Sequence, residues 1–238
     1  IQDFKPDIIH THTSKAGFLG RLLVRVASPN SKVIHTFHGH LLFGYFNKLK
    51  LRLLINTERT LGKLSHILIA MGSQVKDDLV AARIAPAEKF QVFFPGLADP
   101  QNVDIAKARS QIQLPEEVVI CTFIGRLTQV KRPDRFLEVV KLVNKVNPKI
   151  EFLVVGEGEL TDKMKSEVSN LKLPVRFLGW RKDVSLILNA SDLLILTSDN
   201  EAVALTLIEA SQAGIPIVTT PAGSVKDIAQ NEIGRAHV

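Results

Sequence analysis

Short apolar runs and longer amphipathic segments alternate along the whole chain. Runs rich in Ile, Val, Leu and Phe, bounded by turn residues, read as buried strands. Apolar positions recurring every three or four residues read as helices. Up to residue 94 the pattern predicts strands over residues 7–10, 33–37, 66–70 and 90–94, and helices over 14–27, 47–63 and 73–82. Pro95-Gly96-Leu97-Ala98-Asp99-Pro100 interrupts it with turn residues and reads as a linker. The alternation then resumes, with helices over 105–112, 133–146, 160–170, 182–188, 203–213 and 224–229. Strands are predicted over 118–124, 150–155, 175–178, 192–196 and 217–219. Residues 118–124 are apolar apart from Thr122, as in a central parallel strand covered on both faces. Strands alternating with helices imply an α/β fold with parallel sheets. The break divides it into two units, residues 1–100 and 101–231.

Composition narrows the class. The chain has 238 residues, 45% of them hydrophobic, enough for a sizeable core. Its net charge of +6 admits phosphate-rich ligands, an anionic membrane surface or nucleic acid. With aromatics at 6% and no nucleic-acid motif, nucleic acid is set aside as a partner. No apolar run approaches the roughly 20 residues that span a bilayer. The start shows no secretory signal pattern, and Cys121 is the single cysteine, so no disulfide framework exists. A cytoplasmic setting is expected. The chain opens almost directly on a strand, and residues 232–238 have neither helical nor strand period. The expectation is a chain cut at both ends, with native sequence stopping near Asn231 and a non-native tail over 232–238.

Ligands of parallel sheets bind beyond the carboxyl ends of the strands, so the loops there carry the candidate chemistry. Gly125-Arg126-Leu127-Thr128-Gln129-Val130-Lys131 suits a diphosphate: Arg126 forks onto two oxygens and Lys131 adds a mobile charge. In Gly156-Glu157-Gly158-Glu159, paired glycines allow a close backbone approach to a ligand, or simply end a strand. Trp180, the only tryptophan, follows the next strand in Gly179-Trp180-Arg181; it fits the border of a base pocket or a packing role. Two carboxylates, Glu201 and Glu209, stand eight residues apart, the first in a polar turn and the second inside an apolar helical segment. A helix start there offers free N–H groups to a phosphate. Helical rise puts the pair up to roughly 12 Å apart, a span for opposite ends of a nucleotide sugar rather than for one shared proton.

His10, His12, His35, His38 and His40 cluster in the first half. Their spacing lacks the form of a zinc site and no cysteine accompanies them. No D-x-D pair supports a phosphate-bridging cation. Catalytic or substrate-positioning histidine is the preferred reading over metal, with His35 inside its strand. The helix over 47–63 carries Lys48, Lys50, Arg52, Arg59 and Lys63 and follows the apolar Leu41-Leu42-Phe43-Gly44-Tyr45-Phe46. It fits either peripheral contact with an anionic membrane or, preferred, a half-buried helix with a solvated face.

In order and spacing these motifs resemble the GT-B glycosyltransferases, in particular the large retaining group with an E-x7-E motif, often called family four. The carriers are Gly125-Arg126-Leu127 with Lys131, Val155-Gly156-Glu157-Gly158, Phe177-Leu178-Gly179-Trp180 and Glu201–Glu209. Lys5-Pro6-Asp7-Ile8-Ile9-His10-Thr11-His12 and Thr36-Phe37-His38-Gly39-His40 add to them. The resemblance implies two Rossmann-like domains facing a cleft, the first incomplete here. It implies transfer of a sugar from a nucleotide diphosphate sugar, the co-substrate, to a carbohydrate or lipid-linked acceptor, with no metal or other cofactor. His38, Arg126, Lys131 and Glu201 would be catalytic. Gly125, Gly156, Glu157, Trp180, Arg181, Ala202, Val203, Ala204, Leu205 and Glu209 would bind the donor: Ala202–Ala204 through backbone N–H groups, Glu209 through the ribose. His38 would sit across the cleft, near the transferred sugar. Localisation would be cytoplasmic, on the inner face of the membrane if peripheral. The family has Gly where this chain has Ala202, and a positive φ there would penalise alanine. A nucleotide-sugar 2-epimerase of the same architecture, or a non-catalytic nucleotide-binding module, are the alternatives. The fragment alone is expected to be inactive.

Overall fold

A computed structural model describes residues 3–39, 47–97, 103–115 and 117–228. His40, the apolar stretch 41–46, the end of the linker and the tail 232–238 lie outside the described residues. The chain divides into two compact units, Ile1–Pro95 with Glu201–Val203, and Gly96–Asn200 with Ala204–Val238.

The first unit runs β1 (Ile8–His12), α1 (Ser14–Ala27), β2 (Lys32–Phe37), α2 (Lys48–Leu64), β3 (Ile67–Ala70), α3 (Ser73–Ala81) and β4 (Phe90–Val92). Its four strands are parallel in the order β1-β2-β3-β4. Phe37, Leu68, Ala70, Val75, Leu79 and Phe90 form its core. Helix α2 starts where Asn47 Oδ1 accepts the Lys50 N–H at 3.0 Å, satisfying a first-turn donor. The inward face of α1 is unusual: it buries Gly17, Arg21 and Val24 and leaves Leu19, Leu23 and Val26 exposed. Gly17 is required there, because a Cβ would stand 2.3 Å from His35 Cε1. Arg21 donates to both oxygens of Glu58 on α2, at 3.0 and 2.8 Å, and both side chains are buried.

The second unit runs α4 (Ile105–Gln111), β5 (Ile120–Ile124), α5 (Pro133–Val146), β6 (Glu151–Val155), α6 (Thr161–Asn170), β7 (Val175–Gly179), α7 (Val184–Asn189), β8 (Leu193–Leu196), α8 (Leu205–Gln212) and β9 (Ile217–Thr219). Its strands are parallel in the order β7-β6-β5-β8-β9. Every residue of β5 is buried. Phe123 points into one core with Phe136 and Phe152, and Ile124 into another with Leu194, Leu196 and Leu207. Strand order reverses direction at β5/β8, and the crevice beyond such a switch point is where open α/β sheets take ligands.

Several element ends shift: β1 runs on to His12, β4 stops at Val92 and α7 begins at Val184. The helix predicted from 203 begins at Leu205, with Ala204 as its N-cap in extended backbone. The rise over 201–209 is therefore not that of one continuous helix. The strand predicted from 118 begins at Ile120, and Val119 is half-exposed. The last predicted helix is a 3-10 turn over Gly223–Asp227, and Ala229 lies outside the described residues.

Candidate active site at the strand ends

The loops after β5, β6, β7 and β8 are knitted together by their backbones. Leu127 N–H donates to Glu157 O at 3.1 Å, Leu160 N–H to Leu127 O at 2.9 Å, and Gly156 N–H to Gly179 O at 2.7 Å. Gly156 has φ +124°, and a Cβ on it would stand 2.1 Å from Gly125 O. At Gly158 a Cβ would meet Leu127 O at 2.4 Å. The close approach these glycines permit is to the neighbouring phosphate-candidate loop, which they hold in place. Glu157 is exposed and its Oε1 lies over Gly179.

Within that loop Arg126 is exposed, and its guanidinium has no protein acceptor among the described residues. The other described arginines of the unit are engaged. Arg109 pairs with Asp192, Arg132 and Arg135 with Asp199, Arg176 with Gln113 O and Arg181 with Asp183. Lys131 folds its stem back towards Gly125, its Cδ 3.9 Å from where a Cβ there would lie, and has a partner of its own. Arg181 holds both oxygens of Asp183, at 2.8 and 2.5 Å, and keeps that carboxyl below its usual range. Its fork is thus spent inside its own turn. Trp180 is 66% exposed, which removes the core-packing reading, and Lys182 Nζ sits 5.7 Å from its ring centre.

The loop after β8 is clamped to the loop after β5. Thr197 Oγ1 donates to Lys131 O and Arg132 O at 3.1 and 2.9 Å, and Asp199 N–H to Val130 O at 2.9 Å. The Asp199 carboxylate receives Arg132 and Arg135. This clamp was not read from the sequence: the polar turn 197–200 was visible, but its partners lie more than sixty residues away. A cavity of about 410 Å³ opens beside it, bordered by Arg132, Asp134, Leu137, Lys163 and Met164; none of Arg126, Lys131, Glu201 or Glu209 lines it.

Glu201 is buried and partnered. Ala202 does not take a positive φ, so alanine carries no left-handed penalty where the family has glycine. Since α8 starts at Leu205 with Ala204 as its N-cap, the N–H groups of Ala204, Leu205 and Thr206 have no intrahelical partner, and Ala202 and Val203 precede the helix in the loop. Glu209 is half-buried, its carboxylate has no partner among the described residues, and burial raises its pKa above the usual carboxylate value.

In the first unit the histidines gather at the carboxyl ends of β1 and β2. His12 Nδ1 and His38 Nε2 are 2.8 Å apart, and His10 Nε2 is 2.7 Å from Thr36 Oγ1. The His10 and His12 rings lie 4.1 Å apart, those of His12 and His38 5.1 Å. His35 is buried with Nδ1 2.8 Å from Thr11 Oγ1, and burial pushes its pKa down to about 3. Among the described residues no group of three His, Cys, Asp or Glu side chains is placed to hold a metal ion. No helix among them is long and apolar enough to cross a membrane.

Residues 104–238 match the family described as Glycosyl transferases group 1, and residues 1–98 the family described as Glycosyltransferase Family 4. The chain belongs to the group 1 glycosyl transferases. It is 31% identical, over 96% of its length, to a UDP-Gal:alpha-D-GlcNAc-diphosphoundecaprenol alpha-1,3-galactosyltransferase of Escherichia coli, covering 61% of that protein. It is 24% identical to the amylovoran biosynthesis glycosyltransferase AmsK of Erwinia amylovora, over 97% of this chain and 57% of that one. Among solved structures, Anabaena HepE in complex with UDP and glucose superposes with a TM-score of 0.81 at 22% identity, over 94% of this chain and 61% of that one. The fold of this group 1 glycosyl transferase is thus that of the GT-B enzymes, and the chain spans about three-fifths of the length of these relatives.

Proposed function

We propose that the second unit binds a nucleotide diphosphate sugar, and that the protein transfers its glycosyl group to an acceptor hydroxyl with retention of configuration. The observation that carries this is Arg126: an exposed guanidinium without a protein acceptor among the described residues, at the carboxyl end of the central strand, beside the switch point. Arg126 and Lys131 meet the diphosphate and the charge that develops on the leaving group, aided by the first-turn N–H groups of α8. The unpartnered Glu209 accepts from the ribose hydroxyls. Glu201 contacts the donor sugar and, in the front-face reaction the family implies, is not a covalent nucleophile. His38 serves the transferred sugar, and Trp180 borders the base. No metal or further cofactor is assigned a role. Relatives named for UDP-Gal and a diphosphoundecaprenol acceptor, and a neighbour solved with UDP, favour a uridine donor and a carbohydrate or lipid-linked acceptor in polysaccharide or glycolipid synthesis, on the cytoplasmic side.

Isothermal titration of the chain with UDP, GDP and ADP tests the reading. UDP is expected to bind best, and Arg126→Ala to weaken it by about tenfold or more, the worth of a charge-assisted pair. In a full-length relative with the matching arginine the same change is expected to remove most turnover; full turnover at saturating donor would refute the assignment. Donor incubated without acceptor separates transfer from 2-epimerisation.

A further inference from the structure

We infer that His12 is a positioning residue for His38, the two imidazoles forming a hydrogen-bonded pair that fixes which nitrogen His38 presents. The functional half of this rests on the role proposed for His38; the pairing stands on geometry alone. His12 ends β1, in register with Thr36 of β2, and His38 follows β2 by one residue. Its Nε2 then meets His12 Nδ1 at 2.8 Å, a contact that requires a proton on one nitrogen and a lone pair on the other. Neutral imidazole favours the Nε2–H tautomer in water. Both rings keep that form only if His38 Nε2–H donates and His12 Nδ1 accepts. His38 Nδ1, which makes no hydrogen bond among the described residues, is then a lone pair available to a sugar hydroxyl.

The surroundings hold the pair in place. His10 stacks against His12 at 4.1 Å between ring centres and is itself anchored on the Thr36 hydroxyl. Among the described residues, His10 on β1 interacts with both rings, His35 on β2 is kept neutral by burial, and Arg21 on α1, which acts on His35, is neutralised by Glu58 on α2. Burial and His12 both disfavour a charge on His38. A second proton on the pair would set two cations side by side.

The test is long-range ¹H–¹⁵N NMR of the imidazoles in the whole 238-residue chain, which needs no substrate. Wild type is expected to show His38 with a protonated Nε2 and a pyridine-like Nδ1. His12→Asn, which can accept the same hydrogen bond but does not titrate, keeps that tautomer and raises the apparent pKa of His38 by about 0.5–2 units, the size of one like charge at this range. His12→Leu removes the accepting lone pair as well as the charge, and releases the tautomer to a mixture. Unchanged backbone amide spectra verify folding. A His38 titration identical in wild type and both variants overturns the pairing. In a full-length relative with the matching histidines, the change equivalent to His12→Leu should lower kcat more than it raises KM, with the Asn variant restoring most of it. If instead the NMR coupling is present while His38→Ala turns over at the wild-type rate, the proposed role of His38 fails and the pairing does not.

Discussion

At Gly156 the chain has no freedom to accept a side chain. Its φ of +124° is one that L-residues rarely adopt, and the atom a Cβ would strike is a backbone carbonyl, which cannot swing aside. Gly156→Ala is expected to cost about 2 kcal/mol or more, read as a lowered urea midpoint of the second unit, and to weaken UDP binding because the Arg126 loop moves with Gly125. Gly96→Ala is the control: nothing lies within 4 Å of its Cβ and its φ is ordinary, so its midpoint should not move. Equal effects at the two positions would sink the argument. The sequence made Gly156 and Gly158 visible as a pair, yet not what they approach, since Gly125 and Leu127 are some thirty residues away. The same holds for the arginines. Arg126 and Arg132 lie in one basic loop, and only the fold reveals that Asp134 and Asp199 take Arg132 while Arg126 has no acceptor among the described residues.

Elements were far more legible, because a strand or a helix is written in a local period. Ser14–Ala27, Pro133–Val146 and Ile217–Thr219 begin and end where hydrophobic spacing and a proline at the first helical position put them. The start of α8 was not legible: Val203 and Ala204 are apolar, so they read as helix although the helix begins at Leu205 and Ala204 is its extended N-cap. Helix α1 was legible in extent but not in how it packs, because its buried face centres on Arg21 rather than on leucine. That choice makes Glu58 indispensable to the α1–α2 contact. Glu58→Leu leaves a buried guanidinium uncompensated and should cost about 3–5 kcal/mol in urea unfolding. Adding Arg21→Met removes the stranded charge and should recover most of the loss. A double variant no more stable than the single one would mean that packing, not charge, dominates.

Across the whole molecule, titratable groups are distributed unevenly, and this sets how each unit responds to acid. Six of the seven histidines lie between residues 10 and 66. His10, His35, His38 and His66 all have pKa values lowered by burial, His35 to about 3. A depressed histidine contributes stability that is intact above its unfolded value of 6.5. That stability is lost as pH falls, because the unfolded chain takes up a proton the fold refuses. For fully buried His35 alone this amounts to about 2 kcal/mol between pH 6.5 and 5. The second unit has no histidine among its described residues. Its paired carboxylates Asp134 and Asp183 are held below their ordinary pKa of 3.8, so their contribution is lost only at lower pH. Glu209, raised above 4.5, takes its proton more readily folded than unfolded and opposes the loss. Hydrogen exchange read by mass spectrometry between pH 6.5 and 5, corrected for intrinsic rates, should therefore show protection falling in β1, β2 and α2 while β5, β6 and α5 hold. In His35→Asn the fall should be shallower, whatever its starting stability. Equal losses in both units, or an unaltered slope in the variant, would place the acid-sensitive groups elsewhere.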